Sequence, residues 1–398
     1  MLAPYRSLLS LPGARGFVVP GLIGRFPLSM LGLGTVLVVS LETGSYTLAG
    51  SVSGTLAVAT ALAGPMTGSL ADRWGQRRVL LPLLGIFGVA TGALVAAAMT
   101  DEAPTWLLFP LAVVSGAAVP QIGSMARRRW KMLAGGSVRF DTALSLESVL
   151  DAGVFVIGPV LAAFLATSVW PGAGVVAAVT LAVLGGVLFA AQHGTEPPGR
   201  SGAATGCERR TATPAYRVRG LWVLVAAHVM MGVCFGTTDL CVIAFAQREG
   251  HSALAGVLLA TFATGSVIAG IVYGVVRWRA PVRLRFLLAL MAMAAASVPL
   301  VLASTIPVMA AGALLVGLAV SPALIAGTGL VELLVPTESL TEGFAWLAAA
   351  VGIGIALGSA VAGGLIDTYG PNPTLLLTTC AGLTASTIAG AGRRWLAR

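Results

Sequence analysis

Three ionisable side chains stand in stretches that are otherwise apolar: Arg25, Glu147 and Asp151. Glu147 and Asp151 are four residues apart, which on a helix puts both carboxylates on one face. Arg25 lies about eight residues into its apolar run, a depth of about 12 Å at 1.5 Å per residue. Glu147 and Asp151 lie about five and nine residues into theirs, entered from the same side, so the three depths overlap. A charge buried in lipid is costly unless it is paired or hydrated, and each such residue is therefore a candidate functional group. Two chemistries suit this set. One is a permanent ion pair that pins two helices together. The other is proton exchange: with two carboxylates on one fixed cation, the second can be neutral when dry and ionised when wet. In the second reading Asp151 is the deeper proton carrier and Glu147 the shallower.

Other residues invite similar questions. Asp239 sits in a later apolar run, toward its outer end, as a hydrated mouth residue or a contact for a cation. His228, in the same run, is either a titrating group or a hydrogen-bonding group between helices. Phe26, Met30, Gln121, His228, Met231, Phe344 and Trp346, together with Asp239, are candidates to line a mainly apolar chamber for a small amphipathic or neutral solute; the alternative for the aromatic and Met residues is plain packing. Cys207, Cys234, Cys241 and Cys380 have neither Cys-x-x-Cys spacing nor accompanying His, so a metal site is not expected. No cofactor is expected either: Gly-x-Ser-x-Gly, His-Glu-x-x-His and phosphate-loop patterns are all absent, which argues against an enzyme and for an ion gradient or downhill flow as the energy source.

The elements that must position these groups follow from composition. Over 398 residues, 57% are hydrophobic and only 10% charged, and the mean hydropathy is +0.92. Such a chain uses lipid as solvent. Apolar runs of about 20 residues, enough to cross a hydrocarbon core of about 30 Å, recur along nearly the whole length. They predict helices at roughly 17–40, a second ending near Gly68, then 79–99, 105–126, 142–167, 172–192, 220–245, 253–276, 285–303, 306–331, 341–366 and 374–391. An acidic outer loop is expected at Asp101 and Glu102. The segment 193–219 changes to Pro, Gly, Ser, Thr and Arg and reads as a linker between two halves, 1–192 and 220–398.

The net charge of +9 is informative through its placement. In a twelve-helix layout with both termini inside, all but two of the 24 Lys and Arg fall on the inner side, the exceptions being Arg248 and Arg25. That asymmetry is the positive-inside rule, so the basicity reports topology and contact with anionic lipid, not nucleic acid. Arg127, Arg128, Arg129 and Lys131 read, in this scheme, as a stop-transfer and lipid-contact cluster after the fourth helix. The N-terminus does not read as a cleaved signal, because Arg25 interrupts the first apolar run.

The halves echo each other. Leu48, Ala49, Gly50, Gly64 and Gly68 recur 206 residues later as Leu254, Ala255, Gly256, Gly270 and Gly274, and Pro120 and Gly158 answer to Pro322 and Gly358. Between the second and third helices stands Gly68-Ser69-Leu70-Ala71-Asp72-Arg73-Trp74-Gly75-Gln76-Arg77-Arg78. This stretch resembles the loop signature of the major facilitator superfamily, with Gln76 where a basic residue is usual. In the second half the copy has decayed, and Trp278 stands at the position of Asp72.

The resemblance implies an all-α membrane protein of twelve transmembrane helices in two pseudo-symmetric six-helix bundles that open alternately to either side. It also implies that Asp72 latches the cytoplasmic ends of the bundles, and that the first and fifth helices share a bundle, which makes a cluster of Arg25 with Glu147 and Asp151 geometrically reasonable. Gly68, Asp72, Arg73, Gly75, Arg77 and Arg78 form the loop side of this gate. Glu338 and Glu342, with Glu332 nearby, flank a turn without Lys or Arg and are expected to receive Arg73, Arg77 or Arg78 on closure. Gly158-Pro159 resembles, in part, a Gly-Pro motif of family exporters, whereas the Arg common in their fourth helix is absent between Pro110 and Gly116. The implied function is proton-driven efflux of a small amphipathic drug or metabolite by a monomeric plasma-membrane protein. A proton-coupled importer or facilitator of a small nutrient is the alternative, and a receptor or scaffold that moves nothing is the alternative of another class.

Overall fold

The computed structural model of the chain describes residues 3–100, 103–134, 137–199, 214–250 and 254–396. Asp101, Glu102 and Cys207, and most of the linker, lie outside the described residues. Among the described residues every regular element is helical: α1 Ala3–Leu9, α2 Ala14–Ile23, α3 Pro27–Thr43, α4 Tyr46–Trp74, α5 Gln76–Ala98, α6 Leu108–Ala117, α7 Ile122–Ala134, α8 Ser137–Ser168, α9 Ala173–Ala191, α10 Arg219–Arg248, α11 Ala255–Val275, α12 Val282–Val301, α13 Ile306–Leu334, α14 Leu340–Tyr369, α15 Pro371–Thr374 and α16 Leu376–Ala391. Twelve stretches are long and apolar enough to cross a membrane. A continuous helix satisfies its backbone polar groups within itself, the condition for crossing hydrocarbon.

The first and fourth spans are each built from two helices, which the hydropathy pattern did not predict. The first runs from Ala14 to Thr43 and is interrupted at 24–26; the fourth runs from Thr105 to Ala134 and is interrupted at 118–121. Pro27 and Pro120 lie at these breaks, where a missing N–H and a bulky ring oppose helix continuation. Proline alone does not decide the matter, since Pro65, Pro82, Pro159, Pro299 and Pro322 sit inside continuous helices. What the two breaks share is position: Ile122 packs on Gly24, and Gly123 faces the Arg25 guanidinium. The backbone at Gly24 also lies against Gly185, where an added Cβ would fall 2.7 Å from the Gly24 Cα. Small residues at both positions permit that close helix approach.

The polar contacts between the two bundles cluster at the end that carries the loop signature. Thr142 Oγ1 donates to the Gly274 carbonyl at 3.0 Å, and Ser145 Oγ donates to that of Gly270. The Tyr5 hydroxyl, from α1, reaches Ser145 Oγ at 3.0 Å and the Ile271 carbonyl at 3.0 Å, and so touches both bundles. Deeper in, Ser148 on α8 meets Ser321 on α13 at 3.3 Å. This end of the molecule is closed.

Candidate functional site

Arg25 sits at the break in the first span, 2% exposed, and its guanidinium forks between two carboxylates on α8. Nη1 donates to Asp151 Oδ1 at 2.9 Å and Nη2 donates to Glu147 Oε2. The i, i+4 spacing of Glu147 and Asp151 presents both to one guanidinium. Trp130 Nε1 on α7 donates to Glu147 Oε1 at 2.7 Å. Arg127, also on α7, donates to Asp151 Oδ2 at 2.6 Å.

Arg127 changes the charge count. The sequence placed two carboxylates on one cation, whereas the structure places two carboxylates on two cations. The set is therefore balanced when fully ionised, and the excess of negative charge is corrected. The members differ in their access to solvent: the Glu147 side chain is fully buried, those of Arg25 and Arg127 are 2% and 18% exposed, and that of Asp151 is 27% exposed. Ser148, three residues before Asp151 on the same helix, touches the opposite bundle, so this face of α8 looks toward the space between the bundles.

The basic run on α7 is likewise not a lipid-contact cluster. Its successive residues fan out to separate internal partners because the break at 118–121 lets α7 run as a distinct amphipathic helix inside the bundle. Arg127 goes to Asp151, and Arg128 to Asp72 Oδ1. Arg129 is buried; its Nε donates to Gln76 Oε1 at 2.8 Å, and its guanidinium lies 3.8 Å from the Phe189 ring centroid. Lys131 reaches Glu332 on α13, across the bundle boundary. In sequence, the inward destinations are masked by resemblance to an ordinary cytoplasmic flank. The only available signal is that four cations within five positions cannot all face one side of a helix.

The pairing of Arg129 with Gln76 explains the departure in the loop signature. Gln76 is buried, donates from Nε2 to the Met125 carbonyl at 3.0 Å and accepts from Arg129. A second cation at this position would face Arg129 in a low-dielectric site, so the neutral amide goes with the arginine contributed by α7.

Asp72 is fully buried at the C-terminal end of α4. One oxygen takes Arg128, and the other accepts the backbone N–H of Glu342 at 3.0 Å, at the start of α14 in the other bundle. A carboxylate at a helix N-terminus satisfies an orphan donor and favours the helix dipole. Gly68, one turn earlier, allows the approach: an added Cβ would lie 3.0 Å from the Thr341 carbonyl oxygen and 3.1 Å from the Glu342 Cα. Gly75 has a φ of 97°, in the region that only glycine adopts readily, and turns the chain from α4 into α5.

Among the described residues, the contacts of the loop arginines and of Glu332 and Glu342 run elsewhere than the expected pairing of Arg73, Arg77 or Arg78 with the acidic residues near α14. Arg73, Arg77 and Arg78 are exposed; Arg77 contacts His193, and its backbone N–H donates to Glu196. Glu332 takes Lys131 instead, and Glu342 Oε1 accepts the Tyr216 backbone N–H at 3.3 Å. Glu338 is exposed, on a short turn ahead of α14. The second half supplies a cross-bundle pair of its own: near Trp278, Arg285 on α12 donates to Asp141 of α8 at 3.1 Å and to the Tyr273 hydroxyl at 2.6 Å.

The chamber candidates divide. Phe26, Trp346 and Asp239 are partly exposed. Met30, His228, Met231 and Phe344 are buried at 1% or less, and Gln121 is buried against Gly64. Met30 packs with Ala162 and Ala178, and His228 is bonded through Nδ1 to the Leu224 carbonyl of its own helix and stacks on Phe286. These buried residues fill bundle interiors, as aromatic and Met side chains at helical spacing commonly do, and do not line an open chamber. Cys234 and Cys241 are buried and Cys380 is exposed, all as free thiols.

Twelve spans in two bundles, closed at one end and carrying a buried charge cluster in one half, are the architecture of a membrane transporter family. The family model described as Major Facilitator Superfamily matches residues 22–306 and 242–396, and the chain belongs to that superfamily. No curated protein sequence matches. Among solved structures, the chain is similar to a bacterial homologue of the iron transporter ferroportin in an outward-facing state, with TM-score 0.74, 14% identity, and coverage of 98% of this chain and 100% of that one. It is similar to the human organic anion transporter MFSD10, with TM-score 0.72, 16% identity, and coverage of 95% and 100%. The fucose:proton symporter of E. coli follows at TM-score 0.70, 13% identity, and coverage of 96% and 100%. At these identities the likeness is one of fold.

Proposed function

We propose that the protein is a proton-coupled exporter of small amphipathic compounds and that protons exchange at Asp151. The observation that supports this is the graded burial of the Arg25, Glu147, Asp151 and Arg127 set. Neutralising Glu147 would leave Arg25 with one fewer anion in a dry site, at high cost. Neutralising Asp151 instead frees Arg127, which is 18% exposed and can be hydrated. Proton exchange therefore falls on the Asp151 and Arg127 edge, and Glu147 holds Arg25 in place. Protonation of Asp151 leaves a net positive charge beside the space between the bundles, which opposes a cationic solute there and so makes proton and solute alternate, the proton gradient setting the direction.

In this reading the loop-signature end is cytoplasmic, both termini are cytoplasmic, and the protein is a monomer of the plasma membrane with its exposed arginines against anionic lipid. The asymmetric placement of Lys and Arg supports that orientation. Asp72 with Arg128 and the α14 N-terminus forms the cytoplasmic gate.

The test is accumulation of a panel of amphipathic dyes and antibiotics in an exporter-depleted bacterium. Cells carry the wild-type chain, Asp151→Asn or Glu147→Gln at matched membrane expression. Lowered accumulation by wild type, abolished by Asp151→Asn and by a proton ionophore, is the expected result. Normal export by Asp151→Asn refutes the proton assignment. The charge balance supplied by Arg127 favours a second reading, a static brace in a facilitator; under it Asp151→Asn behaves as wild type does, neither lowers accumulation below equilibrium, and the ionophore changes nothing.

A further inference from the structure

The N-terminal bundle's intramembrane charges are matched within the bundle, whereas Asp239 in the C-terminal bundle is not. Among the described residues, no hydrogen bond, ion pair or charged neighbour reaches its carboxylate. It is partly exposed, about seven residues from the outer end of its span. The surroundings on α10 can be read from its neighbours. Gly232 and Gly236 pack on the backbone of α14, and Phe235 meets Phe262 of α11 edge-on at 6.2 Å. Cys234 and Thr238, on another side, contact Thr378 of α16. Asp239 is four residues from Phe235 and seven from Gly232, so it extends the stripe that lies between α11 and α14.

That stripe is the side of α10 turned toward the N-terminal bundle, because α11 and α14 are the helices that touch it, at Ser145 and at Asp72. Neither α11 nor α14 contains a Lys or Arg. The outer parts of α3, α4 and α8, which belong to the opposite bundle, contain none either. Arg248 is nine residues further along α10, about 13 Å at 1.5 Å per residue. No side chain of the described residues is placed to neutralise Asp239 from within the membrane. Phe235 and Phe262 are themselves partly exposed, and Phe235, one turn before Asp239, puts this ring pair on the same stripe of α10. A carboxylate beside aromatic rings attracts an organic cation through both charge and ring quadrupole.

We propose that Asp239, with Phe235 and Phe262, is the recognition site for the positively charged head of the substrate, which assigns the exported compounds to the monovalent organic cations. This rests on the transport reading above and deepens it: the substrate cation is held in one bundle and the proton in the other.

The experiment measures equilibrium binding of tetraphenylphosphonium to the purified full-length protein in detergent, with chloramphenicol as a neutral probe. Wild type is expected to bind tetraphenylphosphonium. Asp239→Asn should weaken this by about tenfold or more, the scale of a lost charged partner, and Asp239→Glu should recover most of it. Chloramphenicol binding should be the same in all three. Equal tetraphenylphosphonium binding by wild type and Asp239→Asn, or no binding by wild type, overturns the proposal.

A measurement on the wild-type protein alone guards against misfolding of the variant. Carbodiimide labelling of Asp239, read by mass spectrometry, should be slowed by tetraphenylphosphonium and not by chloramphenicol; labelling that is unaffected by the cation also overturns it. Binding needs no gradient, so the two readings fail separately. A protein that binds tetraphenylphosphonium at Asp239 but never alters its accumulation sinks the transport reading. One that exports neutral compounds without binding the cation sinks this one.

Discussion

The two bundles are built on one repeating pattern and have spent it differently. In the N-terminal bundle Gly123 on the fourth span faces Arg25 on the first; in the C-terminal bundle Gly327 on the tenth faces His228 on the seventh. The geometry recurs, but the chemistry does not. Arg25 is a permanent cation that draws Glu147, Asp151 and, beside them, Arg127 into the membrane. His228 is satisfied by a carbonyl of its own helix. The spans around Arg25 are broken, whereas α10 and α13 run continuously, although α13 contains Pro322 at the position echoing Pro120. The contacts across the seam differ in the same spirit. The first half offers an anion, Asp72, to the start of α14, and the second half offers a cation, Arg285, to Asp141 on α8. A duplicated architecture thus tolerates inversion of charge at equivalent seams provided that each seam is complementary.

This contrast can be broken most decisively at its centre. Arg25→Leu leaves Glu147 buried without its cation and should destabilise the protein by about 3–5 kcal/mol, the cost of breaking a buried pair. His228→Leu, which removes one local hydrogen bond, should cost about 1 kcal/mol. Thermal unfolding in detergent compares them, and equal losses would show that the two positions are energetically alike after all.

Next in size is the contact between α4 and α14. Gly68→Leu puts a side chain where even a Cβ would lie 3.0 Å from the Thr341 carbonyl oxygen, so α4 and α14 must separate. A cysteine placed at Ser145, buried in the closed seam, should then label several times faster with a water-soluble maleimide. Unchanged labelling would mean that the seam closes independently of the Gly68 contact. A smaller effect is expected at the departure in the loop signature. Gln76→Arg should cost roughly 1–3 kcal/mol by setting a second cation against Arg129 and removing its hydrogen bond, and adding Arg129→Gln should restore most of the loss. Additive losses in the double variant would dissociate the two residues.

The smallest change sharpens the question of the breaks. Pro120→Ala should leave the interruption at 118–121 in place, with hydrogen exchange at residues 118–122 still fast. Protection of these amides to the level of those around Pro322 would assign the break to proline and not to the charge cluster.

Much of this was legible in the sequence. Hydropathy laid out twelve spans, and the loop Gly68–Arg78 carried the family. The proximity of Arg25 to Glu147 and Asp151 followed from matched depth and i, i+4 spacing. What stayed hidden had two physical causes. The breaks at 24–26 and 118–121 replace the regular helical ladder by turns for only three or four residues, each with a single polar side chain, Arg25 or Gln121, so a hydropathy scan over a whole span passes over them. The cations of α7 sit where positive-inside flanks normally sit, so their inward partners, Asp72, Gln76, Asp151 and Glu332, cannot be told from lipid contacts by position. Met30, Met231 and Phe344 illustrate the converse error: residue types that suit a chamber suit a packed interior equally well.

One contact carries a mechanical consequence. A Cβ at Gly232 would fall 2.8 Å from the Gly354 Cα, and one at Gly358 would fall 2.8 Å from the Val233 Cα. Helices α10 and α14 therefore meet largely backbone to backbone over two turns, with the small Ser359 side chain facing Gly236. A joint of this kind transmits displacement without slack. The α14 helix, 30 residues long and hence about 45 Å from end to end, takes the Asp72 carboxylate at its first turn and grips the helix that carries Asp239 farther along. The Asp72 contact and Asp239 thus ride on one lever: if that contact is the gate proposed above, the pivoting of α14, not a signal relayed through side chains, would couple the release of one to the exposure of the other.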